Sequence, residues 1–215
     1  KVNVTGSAAV TVSDAVDAAI AGAISNATNV TATFTAGVKD AFANLYTAGS
    51  GLHVDLTKVL ADDTDVKIEV MDTTGSLDAV DLSALIASNS TGSVTLSGAV
   101  TISGSEAQLK KAMITDGVVA SSAKASVTDG AQTDVAASAI SALADKVASV
   151  EVANAIDVTG SINDVKALQG LSKVTLPSDY TVELSDAGSV TVTDLSDIAG
   201  KTTGAVVVTN AITTS

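Results

Sequence analysis

Short runs in which Val, Leu or Ile alternates with Thr, Ser, Lys or Glu recur along this chain, and many are followed by a stretch whose apolar residues fall three and four apart. A period of two marks a half-buried strand and a period of 3.6 a helix with one buried face. The strand pattern is clearest at Val66-Lys67-Ile68-Glu69-Val70. It returns at Val2 to Val4, Val94 to Leu96, Val150 to Val152, Val174 to Leu176 and Val206 to Val208. A second set of short strands leads into the helices: Val10 to Asp14, Leu52 to Asp55, Val80 to Leu82, Val100 to Gly104, Ser126 to Asp129, Ile156 to Gly160 and Val190 to Asp194. Asp, Ser and Thr crowd these junctions, and their oxygens accept from the free N–H groups of a helix's first turn.

The helical spacing groups Val16, Ala19, Ile20 and Ala23; then Val38, Ala41, Phe42 and Leu45; then Leu82, Leu85 and Ile86. Leu109, Ala112 and Met113 follow Ser103-Gly104-Ser105-Glu106, which has the form of a capping box. The longest helix is expected over residues 134–147, burying Val135, Ala139, Leu143 and Val147, and the next buries Ile162, Val165, Leu168 and Leu171. None of these short helices is stable alone, so each must lean on the strands before it. From Val66, Val94, Val150, Val174 and Val206, with one degraded unit near Val118, the step is roughly 24 to 32 residues, the window of stacked repeats.

The expected fold is therefore α/β: a repetitive solenoid of short parallel strands and short amphipathic helices. A β-rich solenoid with few helices is the alternative. The 215 residues read as one repeat domain with a weak boundary near residues 49–51, at Gly49-Ser50-Gly51. Residues 1–50 form atypical N-terminal units and residues 51–215 more regular ones. Tyr180 to Leu184, after Pro177, the only proline, reads as an extra strand inserted into the series.

Composition narrows the function. Aromatics are 2% against 46% apolar residues, so the core is built from small and β-branched side chains, which suits thin stacked layers. All eleven basic residues are Lys, and the net charge is −13. Without the guanidinium fork and with that charge, nucleic acid and anionic membranes are disfavoured partners. The lack of cysteine removes disulfides, thiolate metal sites and cysteine catalysis. The alanine-rich stretch at Ala18 to Ile24 is too short to span a bilayer, and the chain reads as a mature or excised piece.

These residues resemble the Ala/Val/Thr/Asp-rich repeats of bacterial surface-layer proteins and large secreted adhesins. The likeness runs through units such as Val150-Glu151-Val152, Ile156-Asp157-Val158-Thr159-Gly160 and Val165-Lys166-Ala167-Leu168. It implies an extracellular, cell-surface location and a non-catalytic, structural or adhesive role. It further implies self-assembly as a homo-oligomer or surface array. The glycine- and aspartate-rich nonapeptides that bind calcium in many such proteins are missing.

Candidate chemistry is sparse. His53, the only histidine, is expected to face solvent on a strand beside an inward Val54, and one histidine is too few for the usual zinc sets. Asp62, Asp63 and Asp65, with Asp72 beyond the next strand, offer hard oxygens at a turn, the ligand type calcium takes. A solvated acidic turn is the competing reading. Asp14, Asp55, Asp81, Asp129 and Asp194 recur at strand-to-helix junctions, where capping accounts for them. Sequons stand at Asn3, Asn26, Asn29 and Asn89, about as many as frequent Ser and Thr supply by chance. The functional expectation is a semi-rigid structural segment of an extracellular surface protein, with no cofactor beyond calcium. The alternative is a carbohydrate-binding module for cell-surface polysaccharide, presenting Thr191, Thr193, Thr202 and Thr203 on outward strand faces.

Overall fold

A computed structural model describes residues 9–27, 31–210 and 212–214. The strand expected at Val2 to Val4 and the sequons at Asn3 and Asn29 lie outside the described residues. The first elements are β1 Val10–Val12, α1 Ala18–Ala27, β2 Ala32–Phe34, β3 Val38–Asp40, α2 Phe42–Leu45, β4 Tyr46–Thr47, β5 Gly51–Leu52, α3 Val54–Asp62 and β6 Lys67–Val70. Next come β7 Ser76–Asp78, α4 Ala79–Ser88, β8 Ser93–Leu96, β9 Thr101–Gly104, α5 Glu106–Lys110, a π-helical turn Lys111–Thr115 and β10 Ala120–Val127. The chain continues through β11 Asp134–Ala136, α6 Ala137–Ala144, β12 Val147–Val152, β13 Asp157–Gly160, α7 Ile162–Gln169 and β14 Val174–Thr175. It closes with β15 Thr181–Leu184, β16 Gly188–Val190, α8 Val192–Ala199, β17 Val206–Val208 and β18 Ile212–Thr214. This is a mixed α/β protein whose strands pair mostly in parallel.

The chain divides into two units, one of residues 1–100 with 111–123 and the other of residues 101–110 with 124–215. In the first, β1 lies parallel to β2 with Val10 opposite Ala32. A second sheet, β3-β6-β8, puts Val38, Ile68 and Val94 in one buried row and Lys39, Glu69 and Thr95 in the next. Leu45, Leu56, Ile68, Leu82 and Leu85 fill its core. Gly49 and Gly51, both left-handed, turn the antiparallel hairpin β4-β5, so the glycine cluster is a tight turn inside this unit. Helix α1 buries Ala18, Ala21 and Gly22 while Ile20 is 50% exposed, a different face from the one the spacing predicts. The cause is close approach: a Cβ on Gly22 would meet the Asp55 Cβ at 2.6 Å, so the smallest residues face α3.

In the second unit the sheet β11-β13-β15-β17 stacks Val135, Val158, Val182 and Val206 in register, 23, 24 and 24 residues apart. Beside it β14-β12-β10-β9 aligns Val150 with Val174 and Ile102 with Ala125. Ile102, Ile140, Leu143, Ile156, Leu168 and Leu184 are fully buried between these sheets and the helices. The strand read as an insertion after Pro177 is a regular rung, since β15 takes its place at the common step.

Three local expectations change. The long helix of residues 134–147 is a strand, a helix and the start of another strand, because Val135 and Val147 join parallel ladders. The second helix keeps only Phe42 to Leu45, since Val38 is claimed by β3. The capping box is shifted by two: Ser105 Oγ accepts from Gln108 N at 3.3 Å and the Gln108 side chain accepts from Ser105 N at 2.8 Å.

Candidate functional site

The polar side chains at the strand-to-helix junctions do cap helices, but in several cases across repeats. Asp40 accepts from Ala18 N at 3.1 Å and Asp72 from Phe42 N at 2.6 Å. Asp129 accepts from Glu106 N at 2.6 Å and Asp186 from Ile162 N at 2.7 Å. Asp40 ends a strand and the other three follow one, and each carboxylate reaches the first turn of a helix lying 22 to 30 residues earlier. Local caps work alongside: Asp78 on α4, Ser161 on α7, Thr191 on α8 and His53 on α3. His53 Nδ1 accepts from Asp55 N and lies 3.4 Å from the Asp55 carboxylate. Val54 is 60% exposed, so the expected inward valine and outward histidine are replaced by a cap and a first-turn residue. Of the five recurring aspartates, Asp55, Asp81 and Asp194 sit in the first turn of their own helices and Asp129 caps an earlier one.

The acidic residues singled out for calcium are tied to backbone. Asp63 is buried and accepts from Phe34 N at 2.6 Å, while Asp62 receives Ala32 N at 3.5 Å. Asp65 shares a hydrogen bond with Asp63, and that bond and the neighbouring charge raise the Asp65 carboxyl above its ordinary value. Asp72 is engaged separately at α2, and no three of the four converge as a set of ligand atoms. Among the described residues the carboxylates that do converge are Asp134, Asp157 and Glu183, with one oxygen of each within 4.8 Å of the others. Asp134 and Asp157 are register partners on β11 and β13, and Glu183 stands on β15. The Thr181 hydroxyl donates to Asp157. Sequence reading missed this trio because its members lie on three strands; the signal was the repeated placement of Asp before Val135 and Val158.

One cluster has the composition of a nucleophilic device. Ser83, 5% exposed, donates to Asp116, and Lys111 Nζ lies 2.9 Å from Ser83 Oγ and 2.7 Å from Asp116. Burial pushes Asp116 up, but the bonds from Lys111 and Ser83 and the lysine charge outweigh it and hold the carboxyl below its ordinary value. A carboxylate flanked by two donors binds α4 to the π-helical turn; it leaves no free base beside the serine.

The grooves are shallow. One, of about 230 Å³, lies on the β3-β6-β8 face among Lys39, Lys67, Glu69, Ser93 and Thr95. Another, of about 180 Å³, is lined by Gln169, Leu176, Pro177, Tyr180 and Lys201. Tyr180 is 2% exposed and accepts from Gln169 Nε2 at 2.7 Å, so its ring is no platform for a sugar. The threonines expected as an outward strand array are otherwise employed. Thr191 caps α8, Thr193 belongs to that helix, and Thr202 and Thr203 donate to carbonyls of Tyr180 and Ser178. Asn89, 1% exposed, donates to Val66 O at 2.7 Å, which removes that sequon from reach in the folded chain.

No family model, curated protein or solved structure matches this chain. Among the described residues no helix is long and apolar enough to cross a membrane.

Proposed function

We propose that this chain is a non-catalytic structural segment of an extracellular cell-surface protein, of the surface-layer or adhesin kind. Its repeats stack as an α/β solenoid that acts as a semi-rigid spacer and self-associates in a surface array. The observation that carries the reading is the use of its polar groups: Asp40, Asp72, Asp129 and Asp186 each fasten one repeat to the helix of an earlier one. Side chains committed to backbone N–H groups hold a shape and leave little for chemistry. Calcium at Asp62, Asp63, Asp65 and Asp72 would have to share carboxylates that already accept from Ala32, Phe34 and Phe42.

Stretching single molecules tests the spacer role. A stacked array gives way in steps of one repeat, about 8 nm of extended chain each, whereas a single cooperative globule lengthens in one event. A one-event trace counts against the stacked spacer. Binding of a surface polysaccharide, the second reading, draws on the polar groups of the groove at Gln169, Ser178 and Lys201, without an aromatic platform, and loss of glycan retention in Lys201→Ala would favour it.

A further inference from the structure

On the outer face of the β3-β6-β8 sheet, parallel register brings two lysines to the rim of a hollow floored by small residues. Lys39, Glu69 and Thr95 stand side by side in one row, and Lys67 stands beside Ser93 in the row before it. Val16 bridges to Val38 in parallel, which puts Ala15 beside Gly37 in that earlier row. A Cβ on Gly37 would meet Lys67 O at 2.2 Å, so the row runs Ala15, Gly37, Lys67, Ser93 and carries almost no side chain at its first two places. The groove of about 230 Å³ lies there, with Ala15 and Ala36 on one side and the polar side chains of both rows on the other.

Those polar groups are uncommitted. Lys111, Lys124 and Lys166 are bound to carboxylates, and Lys58 donates to Asn26. Lys39 and Lys67 are exposed and make no ion pair or side-chain hydrogen bond among the described residues, although Glu69 is the register partner of Lys39. Asp17, set beside Lys39 by the same bridge, already accepts from Ile20 N at 2.7 Å. Ammonium groups on two neighbouring strands hold a carboxylate, while Glu69, Ser93 and Thr95 offer oxygens to which hydroxyl groups bond. The volume lies below the about 300–1,000 Å³ of pockets that take drug-sized ligands, and it suits a single sugar ring.

We propose that this hollow binds one uronate unit of an acidic polysaccharide, its carboxylate held by Lys39 and Lys67 and its hydroxyls by Glu69, Ser93 and Thr95. Lysine is a point charge on a flexible stem, so it supplies attraction with little geometry. Choice of a sugar over another carboxylate falls to Glu69 and Thr95, whose short side chains stand on paired strands. The net charge of −13 repels a polyanion at a distance, but that repulsion is largely screened beyond about 8 Å at physiological ionic strength, and direct contact with two ammonium groups is not. The site adds a ligand to the scaffold and is separate from the groove at Lys201.

An NMR titration of the full chain with trigalacturonate tests the assignment, with galactotriose as the neutral counterpart and succinate as a carboxylate that lacks hydroxyls. Trigalacturonate is expected to shift the amides of Lys39, Lys67, Glu69 and Thr95. Lys39→Gln and Lys67→Gln should each weaken binding about tenfold, the worth of one hydrogen bond to a charged group. Lys146→Gln removes the same charge from an exposed position between α6 and β12 and should bind as the wild type does. Thr95→Val keeps the shape of the strand residue; it should weaken trigalacturonate about fivefold and leave succinate unchanged. Galactotriose or succinate binding as tightly as trigalacturonate overturns the inference, as does an equal loss in Lys146→Gln or a wild type that does not bind. None of these variants touches a cross-repeat cap, so the stretching result stands whichever way the titration falls.

Discussion

At the scale of single residues, the close approach of one rung to the next is set by glycines whose neighbours are backbone. A Cβ at Gly204 would stand 2.2 Å from Tyr180 O, and one at Gly37, where φ is +87°, would stand 2.2 Å from Lys67 O. Gly49 has φ +72° and nothing within 4 Å. Gly37→Ala should therefore cost about 2 kcal/mol or more and Gly49→Ala about 1 kcal/mol, a difference read directly in urea melts. Asp116 supplies a pH test with a definite sign. Its folded pKa is below the ordinary carboxylate value, so its contribution is present above about pH 4 and is lost as the pH falls through the lower folded value. Asp116→Asn should lower stability at neutral pH by about 1–2 kcal/mol and flatten the acid limb of the stability curve. That Asp, Ser and Thr serve as caps was legible in the sequence. Which helix an aspartate caps was not, because the partner of Asp186 is fixed by the parallel register that sets β15 on β13.

At the scale of elements, α7 carries two caps of different origin. Ser161 Oγ accepts from Asp164 N at 3.2 Å within the repeat, and Asp186 accepts from Ile162 N at 2.7 Å from the following one. Each should contribute about 1 kcal/mol. Hydrogen exchange separates their roles. Ser161→Ala is expected to speed exchange at Asp164 alone, whereas Asp186→Ala should speed it at Ile162 and loosen β15 against β13 as well. A purely local effect of Asp186→Ala would show that the carboxylate caps without coupling the repeats. The elements also show where periodicity misleads. Val135, Ala139, Leu143 and Val147 lie four apart, which fits a continuous helix, yet Val135 and Val147 are equally good strand residues. When segments are this short, two spacings coexist in one stretch, and the ladder to the neighbouring rung decides between them. Where alternation was strict, as at Lys67 to Val70, the strand was read correctly.

For the whole molecule, the α/β class followed from pattern alone, whereas the row Val158, Val182 and Val206, 24 residues apart, did not, because the strand that holds Val182 reads in the sequence as an insertion and only its pairing with β13 and β17 makes it a rung. The division into two units was not legible: residues 101–110 group with the later part of the chain and 111–123 with the earlier, and no glycine or proline lies within five residues of the exchanges at 110/111 and 123/124. Charge placement was likewise hidden, because Asp134, Asp157 and Glu183 meet only once three rungs are aligned. Like charges that close repel, and the repulsion is screened by salt. Glu183→Gln should then raise the melting temperature by about 1–2 °C at low ionic strength, and the gain should vanish in high sodium chloride. The trio supplies three of the six to eight oxygens that calcium takes. Calcium and sodium chloride at matched ionic strength are therefore expected to shift the wild-type melting temperature alike. A calcium shift that exceeds the sodium shift in the wild type and disappears in Asp157→Asn would instead make these three carboxylates a chelating set, and the charge of the scaffold a means of regulating its stiffness.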